Sequence, residues 1–161
     1  MSQKESPERW LLVSLGNRFR GDDGVGPYLL DKLRSQLKGS ADFLESGNDM
    51  VTLVGHWKDR QVCLVDAILS DEQKSGELIR ADGLADIIAP SNCTTSSHGF
   101  NLREAVDLGR VLGALPRRLE IFSICAENIT SCDCLTAAVK LGAERAEQEL
   151  LAFLQGDNGQ S

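Results

Sequence analysis

Trp10-Leu11-Leu12-Val13-Ser14-Leu15-Gly16-Asn17-Arg18-Phe19-Arg20-Gly21-Asp22-Asp23-Gly24-Val25-Gly26 is the stretch whose reading decides the fold. Its first six residues form a near-continuous apolar run closed by Gly16, the pattern of a strand buried on both faces. Beyond the loop, Val25, Leu29, Leu30, Leu33 and Leu37 recur on one helical face. They predict a helix from about Gly24 to Lys38, with Pro27 in its tolerant first turn. A buried strand, a glycine-rich turn and an amphipathic helix make the opening half of a strand–helix–strand unit.

The same alternation continues along the chain. Ala41–Glu45 reads as a short strand, and Asp49 as the cap of a helix bearing Met50, Leu53, Val54 and Trp57 at i, i+3, i+4 and i+7. Gln61–Asp66 is an interior strand, apolar until it reaches a carboxylate. Glu77–Arg80 predicts another strand, Leu84–Ile88 a short helix, and residues 90–99 a Ser/Thr/Asn-rich loop. Asn101–Leu112 predicts a helix with Leu102, Ala105, Val106, Gly109 and Leu112 inward. Leu119–Ala126 predicts a strand, and Leu135–Leu154 a closing helix with Ala138, Val139, Ala146, Leu150 and Phe153 inward. Strands alternating with helices specify an α/β fold, a three-layer α/β/α sandwich around a mostly parallel twisted sheet. One domain is expected over residues 1–161, with an ordered core at about 9–155.

Composition narrows the function. A net charge of −7 with scattered basic residues opposes a phosphate backbone and an anionic membrane surface, so neither nucleic acid nor membrane is an expected partner. No apolar stretch approaches a bilayer span, and the polar start Met1–Pro7 lacks the apolar core of a secretory signal, giving a cytoplasmic reading. Of five cysteines, Cys63 and Cys125 lie in apolar runs and read as buried thiols. Cys132 and Cys134 read as ordinary loop cysteines, because a lone C-x-C lacks the partners of a zinc site and the odd count suggests no disulfide framework.

In sheets of this kind ligands gather beyond the carboxyl ends of the strands. Three polar groups fall there: the Gly16–Gly26 loop, Asp66-Ala67, and Ser96-Ser97-His98-Gly99. Turn glycines with Asp22 or Asp23 as a helix cap would account for one aspartate of the first loop but leave Asn17 unexplained. A phosphate cradle fits poorly, since two carboxylates at the helix start would repel the anion and no Gly-Lys-Ser/Thr follows. Asp66 alone reads as a strand-end residue capping the next turn, and His98 alone as a satisfied loop residue. Together, two carboxylates and an imidazole form an oxygen/nitrogen set suited to nickel, zinc or manganese.

The stretch Leu11–Gly26 resembles the opening signature of the hydrogenase maturation proteases, a strand followed by G-N-x-[aliphatic/aromatic]-x-x-D-[DE]-x-x-G. Leu64-Val65-Asp66-Ala67 is similar to that family's second block and Ser97-His98 to its third, in the same order, with the likeness covering roughly residues 10–154. The resemblance implies that Asp23, Asp66 and His98 bind nickel, and that Asp22 caps the helix or orients its neighbour. It implies a three-layer α/β sandwich and an endopeptidase that removes the C-terminal extension of a nickel-iron hydrogenase large-subunit precursor. Cleavage would follow nickel insertion, with the nickel presented by the precursor rather than held permanently. Asp23 and Asp66 are the catalytic candidates, the precursor is the expected partner, and the chain is read as a monomer. The sequence departs from the family where Glu45-Ser46-Gly47-Asn48 replaces Asp-Gly-Gly-Thr, a loop tied to substrate choice. Glu127-Asn128 replaces Glu-Pro, and Cys134-Leu135-Thr136 replaces Gly-Leu-Ser. Two other readings stay open: a non-catalytic nickel chaperone using the same residues, and a domain that binds a nucleotide or another small molecule.

Overall fold

The computed structural model describes residues 9–70, 73–85, 93–95, 102–129 and 134–158. Its strands are β1 (Trp10–Leu15), β2 (Ala41–Gly47), β3 (Gln61–Ser70), β4 (Leu78–Asp82), β5 (Cys93–Thr95) and β6 (Arg118–Cys125). Its helices are α1 (Val25–Gln36), α2 (Met50–Trp57), α3 (Leu102–Leu112) and α4 (Ala137–Asn158), with a 3-10 turn at Gly21–Gly24 leading into α1. The strands form one sheet in the order β2-β1-β3-β6-β4, with β5 paired to β3. β2, β1, β3 and β6 are mutually parallel, while β4 and β5 run antiparallel to their neighbours.

Alternation along the central strands divides the core into two layers. Trp10 and Leu12 of β1, Cys63 and Val65 of β3, and Phe122 and Ile124 of β6 pack with α1 and α4. Leu11, Val13, Val62, Leu64, Leu119 and Ile121 pack on the other face with Met50, Leu53, Val54 and Trp57 of α2 and Leu102, Ala105 and Val106 of α3. Covering on both faces explains why β1 and β3 are apolar at nearly every position. The three-layer α/β/α sandwich around a mostly parallel sheet follows from this packing.

Four local expectations need correction. β3 continues past Asp66 to Ser70, because its far end gains partners on both sides: Ile68 pairs with Cys125 of β6 and with Thr95 of β5. Cys93–Thr95, read as part of a loop, is therefore a strand. β4 runs Leu78–Asp82, shifted toward the positions that pair with Glu120–Ile124. Leu112, expected in the core, is 62% exposed. α3 ends there, Gly113 turns the chain at φ 64°, and Leu115 packs over Gly109 in its place. Residues 86–88 of the expected helix at Leu84–Ile88 lie outside the described residues.

Candidate active site

β1 feeds α1 toward β2 on one side of the sheet, and β2 feeds α2 toward β3 on the other, so the strand order reverses at the carboxyl ends of β1 and β3. β1 last pairs with β3 at Val65, and β5 first pairs at Ile68. Between these contacts the edge of β3 opens at Asp66 and Ala67. The Gly21–Gly24 turn packs against β3.

Glycines make that approach feasible. A Cβ at Gly26 would lie 2.7 Å from the Leu15 carbonyl oxygen and 2.9 Å from that of Val65, so only glycine lets α1 start against both strand ends. Gly16, at φ +99°, lies under Asp23, where a Cβ would collide with the Asp23 carbonyl oxygen and approach its Oδ1 to 2.9 Å. Asn17 donates its backbone N–H to Asp23 Oδ2 at 2.7 Å, and its own Oδ1 accepts from Phe19 N–H at 2.9 Å. This Asx-type turn supplies the purpose for Asn17 that sequence reading lacked.

Asp23 and Asp66 are both buried. Asp66 Oδ1 accepts the Ala67 N–H at 2.8 Å. Burial pushes the Asp66 carboxyl up to about 7; the Ala67 N–H opposes the rise and the nearby charge of Asp23 adds to it. Two buried carboxylates, one in the turn after β1 and one on β3, therefore face each other's charge in a desolvated crevice that favours a proton or a cation. Among the described residues, no group of three His, Cys, Asp and Glu side chains could hold a metal. Ser96, Ser97 and His98 lie outside the described residues. β5, antiparallel to β3, runs toward Asp66 as it leaves at Thr95.

Asp22 does not cap the first helix, since neither the 3-10 turn nor α1 receives a side-chain cap. Fully buried, its Oδ2 accepts from the N–H groups of Glu127 at 2.9 Å and Asn128 at 2.8 Å. Its Oδ1 accepts from the Thr136 N–H at 2.7 Å, and the Thr136 hydroxyl reaches both oxygens at 3.1 and 2.9 Å. Sequence reading missed these contacts because the partners lie more than 100 positions away.

Beside the crevice, residues 16–19 with Glu45, Gly47 and Asn48 line a hollow of about 220 Å3. Arg18 forms a two-pronged bond to Glu45, at 2.5 and 3.0 Å, and reaches Asp31 at 3.2 Å. Phe19, 66% exposed, also borders the hollow.

The Hydrogenase 2 maturation protease of Escherichia coli K12 is 25% identical over 152 residues, 91% of each chain. The chain is similar to hydrogenase maturation proteases. The NiFe hydrogenase maturation protease HybD from Thermococcus kodakarensis superposes with a TM-score of 0.72 at 25% identity, covering 91% of this chain and 99% of its own. The hydrogenase maturating endopeptidase HybD from E. coli shares the fold with a TM-score of 0.75 at 23% identity, covering 92% and 93%. No family model matches.

In this chain, the departing blocks at Glu127-Asn128 and at Thr136 meet on one buried carboxylate, Asp22. A further correction concerns Cys134, which is disulfide-bonded rather than an ordinary loop thiol; Cys132 lies outside the described residues. Spacing along the chain does not reveal such a pairing. Cys63 and Cys125 are buried thiols, as their apolar surroundings predicted.

Proposed function

We propose that this chain is an endopeptidase that removes the C-terminal extension of a nickel-iron hydrogenase large-subunit precursor after nickel insertion, recognising the nickel that the precursor carries. The observation that carries the reading is the pair of buried carboxylates, Asp23 and Asp66, at the open edge between β1 and β3. Its relatives named as maturation proteases or endopeptidases supply the reaction class.

Asp23, Asp66 and His98 are the residues assigned to engage the nickel. Oxygen donors with one imidazole suit such a borderline dication. The direction in which β5 leaves the sheet, toward Asp66, favours a role for the histidine three residues beyond Thr95. A carboxyl poised near 7 can release its proton when a dication arrives or accept one from an attacking water, so Asp66 suits ligand and general base alike. Asp23, held by the Asn17 N–H, supplies a second fixed carboxylate that can orient or deprotonate the water. Engagement of the nickel would hold the precursor's C-terminal segment with its scissile carbonyl in place for attack.

A nucleotide-binding role is disfavoured, because a phosphate would face two buried carboxylates. Incubation with a nickel-loaded precursor, followed by intact-mass measurement of the large subunit, tests the proposal. Loss of a C-terminal fragment is expected; an unchanged mass with nickel transferred to this chain would make it a chaperone instead.

A further inference from the structure

Asp22 has no part in the chemistry assigned to its neighbour, yet its carboxylate is fully buried and accepts from three backbone N–H groups and one hydroxyl. Its own N–H donates to the Asn128 carbonyl at 2.9 Å, so backbone and side chain grip the same segment. One of those donors, Thr136, precedes the 22-residue helix α4 and accepts the Lys140 N–H, which places Asp22 at the positive end of that helix. The neighbouring Asp23 N–H bonds to Arg20, and the Asp23 carboxylate bonds to Asn17. The 3-10 turn carrying Asp23 is thus clamped from within its loop and, through Asp22, from the far side of the chain.

We propose that Asp22 is a positioning residue: its grip on Glu127, Asn128 and Thr136 fixes the Asp23 carboxylate against Asp66, and the Thr136 hydroxyl completes that grip. The inference rests on the assignment of Asp23 to the reacting centre. A pure scaffold role would cost stability alone, whereas a positioning role costs turnover out of proportion to stability.

The test uses Thr136→Val, which removes the hydroxyl but keeps the N–H and the shape, and Thr136→Ser, which restores the hydroxyl. Asp42→Asn serves as a structural control, since Asp42 pairs with Arg60 at 2.6 Å near the amino end of β2, remote from the crevice. Each protein is assayed for kcat and KM on nickel-loaded precursor and for Tm. Thr136→Val is expected to lower kcat by about tenfold or more with KM within about twofold, because a small misplacement of a reacting group is costly. Thr136→Ser should recover the rate, and Asp42→Asn should lower Tm while kcat holds. Wild-type kcat in a folded Thr136→Val protein, or an equal loss in Asp42→Asn, would overturn the inference while the protease assignment stands. Failure of the wild-type protein to process the precursor would overturn both. Asp22→Asn is a harsher version of the same test, and if it does not fold the Thr136 pair decides alone.

Discussion

Asp66 shows what one buried carboxyl does to a fold and to its chemistry. Its folded-state value of about 7 lies above the ordinary carboxyl value of 3.8, so the folded protein binds more protons than the unfolded chain between those pH values. Stability without metal must then fall as pH rises from about 4 to 7, because the ionised form is the one that burial penalises. Asp66→Asn removes the charge and keeps an oxygen for the Ala67 N–H. The variant's stability advantage over the wild-type protein should be smaller near pH 5 and grow toward pH 8, where it approaches the order of 4 kcal/mol for a shift of this size. Denaturant melts at the two pH values measure the difference, and parallel pH profiles for both proteins would contradict the assignment. The same variant should abolish precursor processing while remaining folded, since a neutral amide is a poor metal ligand and no base. His98→Ala should also abolish processing in a folded protein, and normal cleavage by it would remove the histidine from the site.

At the scale of elements, what decides the outcome is how closely α1 approaches the ends of β1 and β3. Gly26→Ala forces a Cβ to within 2.7 and 2.9 Å of two carbonyl oxygens, so α1 must move away and carry the loop with it. A loss of roughly 2–4 kcal/mol is expected. Gly55→Ala in α2 meets nothing within 4 Å and should stabilise by about 0.5–1 kcal/mol through its lower backbone entropy cost. Urea titrations of the two variants should therefore shift in opposite directions, and a shared direction would refute the packing argument. Elements that carry their own periodicity were legible in the sequence. β1, α1, α2 and α4 announce their buried faces through Leu11, Leu29, Leu53 and Leu150. The positions of Asp23 and Asp66 were legible because one falls in the turn that carries β1 into α1 and the other closes the apolar run of β3. β5 was not, because three residues show no period and their pairing depends on the extension of β3. The contacts of Asp22 were equally hidden, since they join segments separated by 105, 106 and 114 positions.

The whole molecule is a sheet whose strand order reverses once, placing two desolvated carboxylates at the reversal and a small hollow beside them. No helix among the described residues is long and apolar enough to cross a membrane. The carboxylates and His98 are assigned to a nickel ion that arrives with the precursor, so no resident metal is required. The purified protein should accordingly carry well under one metal per chain by elemental analysis, whereas a tightly held stoichiometric zinc would argue for a self-sufficient metalloprotease. The most direct test supplies the protein with two preparations of the same large-subunit precursor, one loaded with nickel and one verified to be nickel-free, and follows intact mass over time. The nickel-loaded precursor is expected to lose its C-terminal extension and the nickel-free precursor to keep its full mass; equal processing of both would rule out recognition through nickel.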